Sequence, residues 1–268
     1  MTTAADWSRA ADTMRRIGHS VEYHAAIGST NDRARAALAE PDGEGRAIVA
    51  DLQTSGRGRR GRTWLSPAGL NLMVSVALRP HLDASRAGLL GIAAALAARD
   101  ACQALTPGAS FGVRWPNDVV TDQDLKVAGL LLETSLSAGE LADAVVGIGI
   151  NVNWRRRDMP SDIGGRATSL ADLAGAEVDR VALLGELLLR LDQEVEALES
   201  GGSPVGRYRE ASSLDGRRVT VDLGETQVEG IAAGVTDEGA LLLDATGGRV
   251  ALSIGEVAAV RDAEELAS

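Results

Sequence analysis

Cysteine is nearly absent from this 268-residue sequence, and its one cysteine, Cys102, cannot form an internal disulfide. Cys102 lies in an apolar stretch of helical pattern, which indicates a small core residue and fits a reducing compartment. Long apolar runs are absent as well, because none approaches the roughly 20 residues that a membrane-spanning helix requires. Residues 1–16 lack the apolar centre of a secretory signal. We therefore expect a cytoplasmic protein that makes no membrane contact.

Positive charge is scarce too. The formal net charge is −11, and general affinity for nucleic acid or anionic membranes depends on basic surface. We therefore exclude both as general partners. Any anion-binding site must be local.

Lysine is the scarcest charged residue. Of the 27 basic residues only Lys126 is a lysine, and the rest are arginines. A lysine ammonium is a compact, strongly hydrated point charge, whereas a guanidinium is a broad planar fork. A chain that uses arginine everywhere else therefore singles out Lys126 as a candidate functional residue.

Apolar periodicity predicts an α+β domain, a mixed sheet backed by helices. Helices are predicted at 7–18, 85–104 and 178–199. Strands are predicted at 21–26, 46–52, 71–78, 111–116, 125–135 and 141–153. Ser29 followed by Asp32 has the spacing of a capping box, which predicts that another helix begins just after the first strand.

The pattern changes beyond Gly201–Pro204. Five short alternating runs follow, separated by glycine or Asp-Glu-Gly turns. This spacing is typical of a small antiparallel barrel. We therefore expect two domains, a larger one at 1–204 and a barrel at 205–268.

The densest chemical signal is the segment Gly56–Arg62, called the arginine loop here. Its glycines match G-x-G-x-x-G, but a strand follows them rather than the helix that a dinucleotide-binding turn needs. No Gly-Lys-Ser/Thr occurs, which excludes a P-loop. Glycine lets the backbone close over a ligand, and guanidinium groups bind phosphate or carboxylate bidentately. The loop therefore predicts a local anion site; an RNA-binding or unordered segment is the alternative, which the acidic chain disfavours.

Five motifs in order resemble the biotin–protein ligase family. They are Gly-Ser-Thr-Asn from Gly28, Gln-Thr-Ser-Gly-Arg-Gly-Arg-Arg-Gly-Arg-Thr-Trp from Gln53, Trp-Pro-Asn-Asp from Trp115, Lys-Val-Ala-Gly-Leu-Leu-Leu-Glu from Lys126 and Gly-Ile-Gly-Ile-Asn-Val-Asn from Gly147. The resemblance implies a class II synthetase-like catalytic domain followed by an SH3-like barrel. Only 27 residues precede Gly28, so we expect the monofunctional form, without the family's N-terminal DNA-binding domain.

The resemblance implies an AMP-forming ligase. Biotin is activated with ATP and Mg²⁺ to biotinyl-5′-AMP and is then transferred to a lysine of a biotin carboxyl carrier domain, of the acetyl-CoA carboxylase type. The protein would act as a monomer or a homodimer. A lipoate or octanoate ligase and a non-catalytic biotin-binding module are the alternatives; the first would lack the arginine loop.

Site residues also follow from the resemblance. Biotin would contact Ser29, Thr30, Asn31, Gln53, Gly56, Arg57, Gly58, Arg59, Lys126, Gly129, Leu131, Gly147 and Gly149. The nucleotide would contact Arg59, Arg60, Trp64, Asn117, Lys126 and Asn151. The catalytic group would be Lys126, Arg57, Arg59 and Asp118, with Asp118 either orienting Lys126 or helping to hold magnesium.

Each assignment has a structural alternative. Ser29 and Thr30 could cap a helix, Gln53 could end a strand, and Trp64 could pack rather than bind. The strand glycines could mark bulges or close backbone approach. For Lys126 the alternative is an ordinary surface position.

Overall fold

The computed structural model describes residues 2–12 and 14–261, which form a large mixed sheet with helices and a smaller antiparallel sheet. The strands of the large sheet are β1 (Val21–His24), β2 (Ala47–Ala50), β3 (Leu72–Leu78), β4 (Phe111–Arg114), β5 (Asp118–Thr121), β6 (Lys126–Ser137) and β7 (Glu140–Ile150). Their spatial order is β1-β2-β3-β7-β6-β5-β4. The first two strands are parallel and every other pair is antiparallel.

Seven α-helices accompany the strands in the described residues. They are α1 (Ala4–Ser8), α2 (Thr30–Ala37), α3 (Ala87–Leu105), α4 (Ser161–Gly164), α5 (Leu170–Ala174), α6 (Arg180–Glu199) and α7 (Val205–Ala211). The two long helices α3 and α6 pack on each other and bury Leu90, Leu96 and Leu188 in the main core. The α6 helix begins where Asp179 accepts hydrogen bonds from the backbone N–H groups of Val181 and Ala182.

One helical segment, Ala84–Leu105, is long and apolar enough to cross a membrane by length and composition alone. However, 61% of its most apolar window is buried inside the protein. Its small residues, such as Ala94 and Ala98, let the helix lie close against the sheet and α6. The segment is therefore the core helix of this fold.

The predicted helix at 7–18 is wrong in its bounds. A capping box between Thr3 and Asp6 starts α1 earlier, and a short 3-10 turn ends at Ala11. Residue 13 lies outside the described part. Residues 14–17 are not helical, and Gly18 has a φ of +81°, a left-handed conformation that favours glycine.

The strand predicted at 111–116 ends at Arg114, and a strand was missed after it. Residues Asp118–Thr121 form β5, which pairs with β4 on one side and β6 on the other. The Trp-Pro-Asn-Asp motif is therefore a hairpin turn. Its last residue opens β5 opposite Gly129.

Five strands form the smaller sheet, close to the predicted runs. They are β8 (Arg218–Asp222), β9 (Gln227–Val235), β10 (Leu241–Ala245), β11 (Gly248–Leu252) and β12 (Glu256–Arg261), in the spatial order β11-β10-β9-β8-β12. Helix α7, which the sequence patterns did not predict, precedes them and contacts α3 and β4. The indole Nε1 of Trp115 donates to the Gly239 carbonyl at 3.2 Å. The barrel therefore lies against the large sheet; a domain boundary at residue 204 stays a prediction.

Candidate active site

A cavity of about 500 Å³ opens between the large sheet, the arginine loop and the barrel. Strands β6 and β7 supply one wall, the turn from β1 to α2 supplies one end, and β12 supplies part of the opposite side. The predicted site residues that line it are Ser29, Thr30, Asn31, Gln53, Arg57, Gly58, Arg59, Trp64, Asn117, Asp118, Lys126, Gly129, Leu131, Gly147, Gly149 and Asn151. Motifs far apart in sequence thus meet in one place.

Two predicted residues do not line the cavity. Arg60 instead donates to the Asp222 backbone carbonyl at 3.1 Å and pairs with the Asp222 carboxylate at 3.4 Å. Gly56 is the buried first residue of the loop, and an added Cβ there would sit 2.6 Å from the Trp64 carbonyl oxygen. Arg60 therefore fastens the arginine loop to the barrel, and Gly56 allows the loop's two sides to approach.

The polar end of the cavity is built around Gln53. Its Oε1 accepts hydrogen bonds from the Thr30 backbone N–H at 2.8 Å and from the Thr30 hydroxyl at 3.0 Å. Ser29 occupies the N-cap position of α2, but its side chain makes no capping hydrogen bond. The helix begins where the spacing predicted, but the capping hydrogen bond of Ser29 is absent. Gln53 accepts instead from the N–H of Thr30, the first residue of α2.

The glycines of β6 and β7 make the wall flat. Gly129 is paired with Gly149, and Leu131 is paired with Gly147, so these residues share one face of the sheet. A Cβ at Gly149 would sit 2.5 Å from the Trp64 ring, and one at Gly147 would sit 2.2 Å from Asn31 Oδ1. The two positions need glycine because side chains from other elements rest on them. Trp64 thus packs on the wall and also lines the cavity.

Replacing Gly149 by alanine should lower the free energy of unfolding by about 1–3 kcal/mol, the usual effect of overpacking. The new methyl group would collide with the Trp64 indole. Urea unfolding measures the change. Gly185→Ala is the control, because nothing lies within 4 Å of its added Cβ in α6 and alanine favours a helix by roughly 1 kcal/mol. Equal stability of Gly149→Ala and the parent would contradict this packing.

Lys126 lies at the centre of the cavity with its charge partner. Its Nζ is 2.6 Å from Asp118 Oδ1 and 5.7 Å from the centre of the Trp64 ring. The Lys126 backbone is fixed on both sides, since its N–H donates to the Arg166 carbonyl at 2.9 Å and its carbonyl accepts from Thr168 N–H at 3.0 Å. The orientation expected of Asp118 toward Lys126 is therefore present in the geometry.

The two arginines expected to bind anions differ in their surroundings. Arg57 makes two hydrogen bonds of 2.7 Å to the Asp32 carboxylate, which raise the pKa of Arg57 and lower that of Asp32. Arg59 donates only to Asn117 Oδ1, at 3.4 Å. Within 2–12 and 14–261 no carboxylate lies at ion-pair distance from Arg59, and burial lowers the pKa of its guanidinium. The Asp118 charge attracts Arg59 from beyond ion-pair distance. A half-buried cation without a direct ion pair is a ready site for an added anion.

Nineteen lining residues were not predicted from the sequence. They are Arg62, Thr63, Leu65, Val74, Arg114, Trp115, Pro116, Asp124, Leu130, Ile148, Trp154, Ile163, Arg166, Ala167 and the β12 residues 256–260. Glu256 forms an ion pair with Arg62 of the arginine loop. Arg62 belonged to the charged loop and could have been included on that ground, but no local pattern marks Glu256.

Comparison with known proteins identifies the family. The Biotin/lipoate A/B protein ligase family matches residues 24–151, and the Biotin protein ligase C terminal domain matches residues 216–259. The Biotin--[acetyl-CoA-carboxylase] ligase of Mycobacterium tuberculosis is 35% identical over 88% of both chains. The Bifunctional ligase/repressor BirA of Bacillus subtilis is 31% identical over 87% of this chain and 71% of its own length.

Solved structures of the same family also match this protein. The biotin protein ligase from Aquifex aeolicus, in complex with biotin and ATP, matches with a TM-score of 0.76 and 31% identity, covering 91% of this chain and 99% of its own. The match includes the mixed sheet and the terminal barrel, which confirms the fold class expected from the motifs. The chain therefore belongs to the biotin protein ligase family.

Proposed function

We propose that this chain is a biotin–[acetyl-CoA-carboxylase] ligase, which activates biotin with ATP and transfers it to one lysine of a carrier protein. The observation that carries the proposal is the composition of a single cavity. It combines the polar end at Thr30 and Gln53, a flat glycine wall, and the cations Lys126 and Arg59.

Biotin fits this arrangement by its chemistry. Its cyclic urea needs neutral donors and acceptors, which Ser29, Thr30 and Gln53 supply at the polar end. Its apolar ring and chain need a close wall, which the β6 and β7 glycines and Leu131 supply. Its carboxylate would then lie toward Lys126 and the arginine loop.

The first step joins two anions. A carboxylate oxygen of biotin attacks the α-phosphorus of ATP, the bond from that phosphorus to the bridging oxygen breaks, and pyrophosphate leaves. Lys126 and Arg59 offset the repulsion between the reactants and the charge that grows in the transition state. Asp118 keeps the Lys126 ammonium oriented at 2.6 Å, and Arg57 lines the same cavity from the loop.

The second step is acyl transfer. The amine of the carrier lysine attacks the biotinyl carbon, the bond to AMP breaks, and the amine loses a proton. Trp64 lines the cavity and is a proposed nucleotide contact through its ring. Asn117 and Asn151 also line the cavity and are the other proposed nucleotide contacts.

Magnesium would be bound mostly by the phosphates of ATP. No group of three or more metal-ligating side chains occurs in the described chain. The lining carboxylates Asp118 and Asp124 could contribute oxygen ligands, although each lies against a basic side chain. Magnesium usually keeps several waters and needs one or two carboxylates, so this donor set fits.

Pyrophosphate release from biotin and ATP tests the proposal. We expect the purified chain to release pyrophosphate and form biotinyl-5′-AMP by mass spectrometry, and to label a biotin carboxyl carrier domain only at its acceptor lysine. Lipoate and octanoate are the control substrates. Activation of lipoate in place of biotin would identify a lipoate ligase, and biotin binding without pyrophosphate release would identify a non-catalytic binding module.

Other expectations stay predictions. The single cysteine supports a cytoplasmic location, and the net charge of −11 argues against nucleic acid as a partner. The carrier domain is the proposed protein partner. A monomer and a homodimer are both compatible with the fold, and sedimentation would separate them.

A further inference from the structure

Glu133 closes the motif that begins at Lys126 but is not among the predicted site residues. Its carboxylate ends a series of hydrogen bonds that leads to the polar end of the cavity. Glu133 Oε2 accepts from Asn31 Nδ2 at 2.6 Å. Asn31 Oδ1 lies 2.6 Å from Ser75 Oγ, and Ser75 Oγ lies 2.7 Å from Thr30 Oγ1. Thr30 in turn contacts Gln53. Four links thus join Glu133 to the side chains that would meet the biotin ring.

The carboxylate of Glu133 determines which group donates and which accepts in each of these hydrogen bonds. A carboxylate only accepts hydrogen bonds, so the nitrogen of the Asn31 amide must face Glu133 and its oxygen must face Ser75. A carbonyl oxygen cannot donate, so Ser75 gives its one hydroxyl proton to Asn31. Ser75 Oγ then accepts the proton of Thr30 at their 2.7 Å contact, and the Thr30 hydroxyl shares this one proton with Gln53 Oε1 at 3.0 Å in a three-centre hydrogen bond.

Thr30 and Gln53 consequently offer opposite hydrogen-bonding groups to a ligand in the cavity: Thr30 offers an acceptor and Gln53 offers a donor. The Thr30 proton is used within the protein, between Ser75 and Gln53, so Thr30 offers lone pairs to a ligand. Gln53 Oε1 is bound by the Thr30 backbone N–H. Its Nε2 makes no hydrogen bond within the described part of the chain and remains a donor. An acceptor beside a donor is the complement of a cyclic urea, whose N–H lies beside its C=O.

We propose that Glu133 is a positioning residue that sets the donor and acceptor pattern for the biotin ring through Asn31, Ser75 and Thr30. The inference rests on the proposed function, since it names how that same site recognises its substrate. Without Glu133 the Asn31 amide can rotate, and its nitrogen would then donate to Ser75. Ser75 would donate to Thr30, and Thr30 would offer fewer lone pairs to the ligand.

A second route from Glu133 to the site must be distinguished. Glu133 also lies 2.8 Å from Arg35 and 3.6 Å from Arg57, so its charge could act through the arginine loop. The two routes differ in what glutamine would do at this position. Glutamine can place its Oε1 where Glu133 Oε2 accepts from Asn31. This substitution keeps the direction of the hydrogen bonds but removes the charge.

Biotin KM measured for Glu133→Leu and Glu133→Gln tests the inference. We expect leucine to raise the biotin KM about tenfold, the effect of one misdirected hydrogen bond, while the ATP KM and kcat change by less than about twofold. Glutamine should stay within about threefold of the parent. If glutamine is as damaging as leucine, the charge on Arg57 is what matters and the positioning role is wrong.

Ser75→Ala gives an independent check, which also serves if Glu133→Leu does not fold. It removes the acceptor at 2.7 Å that holds the Thr30 proton away from the ligand and leaves only the 3.0 Å contact with Gln53. The Thr30 hydroxyl can then turn its proton toward the ligand, so the biotin KM should rise to a similar extent. The double variant should be no worse than the worse single variant, because both act through one path. Fully multiplicative effects would contradict the proposal.

Arg35→Ala is the matched control. It removes the ion pair of Glu133 at an exposed position and leaves Asn31 in place, so the biotin KM should stay within about twofold. If the parent protein does not bind biotin, both this inference and the proposed function are wrong. Normal adenylate formation by the parent, with an unchanged biotin KM in Glu133→Leu and Ser75→Ala, would remove the inference alone.

Discussion

Replacing Lys126 by glutamine is expected to slow formation of biotinyl-5′-AMP by about 10²–10³, the usual loss when one preorganised charge is removed from a transition state. Lys126 is the cation that Asp118 holds at 2.6 Å in the cavity. Single-turnover measurement of the adenylate with saturating biotin and ATP would give the rate. Substrate binding should weaken less than the rate falls.

Lys126→Arg sharpens this prediction. An added Cβ at Gly129 would lie 2.8 Å from Lys126 Nζ, so the lysine passes directly over that glycine. The broader guanidinium would not fit the same path, and we expect arginine to restore little of the rate although it restores the charge. Arg190→Gln, on the surface of α6 and paired with Glu186, is the control for loss of one positive charge. If Lys126→Gln forms the adenylate at a rate within threefold of the parent, Lys126 does not belong to the catalytic group.

Replacing Arg59 by glycine is expected to release the adenylate about 10–100 times faster, the equivalent of one charge-assisted hydrogen bond. Arg59 is half-buried, and among the described residues no carboxylate lies at ion-pair distance from it, although the Asp118 charge attracts it from farther away. Its guanidinium can therefore bind the ligand without breaking an ion pair within the protein. Release of labelled biotinyl-5′-AMP from the preformed complex measures the rate, and biotinylation of an unrelated lysine-rich protein reports the escaped intermediate.

Arg60→Gly is the comparison within the same loop. Arg60 contacts Asp222 of the barrel rather than the cavity, and its φ of +55° is one that glycine adopts readily. We expect its release rate to stay within about threefold of the parent. A release rate as fast as that of Arg59→Gly would show that loop attachment, and not the Arg59 charge, retains the intermediate.

The residues that carry local information were predictable. Lys126 stood out because no other lysine occurs in the chain, and the arginine loop stood out because glycines and guanidinium groups alternate in it. The barrel strands were also close to their predicted positions, since their apolar residues alternate and glycines mark the turns. These signals are properties of adjacent residues, which is why one sequence was enough.

Contacts between distant segments were not predictable in the same way. In the sequence, Ser75 is one polar residue inside an apolar strand and Glu133 is the end of a motif. In the structure, Glu133 is linked through Asn31 to Ser75, and Ser75 contacts Thr30 directly. The link depends on the register that places Ser75 opposite Gly147. Helix α1 and strand β5 were misread or missed because short elements depend on capping and on neighbouring strands more than on periodicity.

The scarcity of lysine has a consequence for self-modification. A mixed anhydride of biotin and AMP acylates unprotonated amines, and this sequence contains one side-chain amine. That amine is the Lys126 ammonium, which lies against Asp118 and, while protonated, has no lone pair with which to attack. Arginine remains protonated and is a poor nucleophile. We therefore expect little biotinylation of the protein's own side chains, whether the adenylate stays bound or is released.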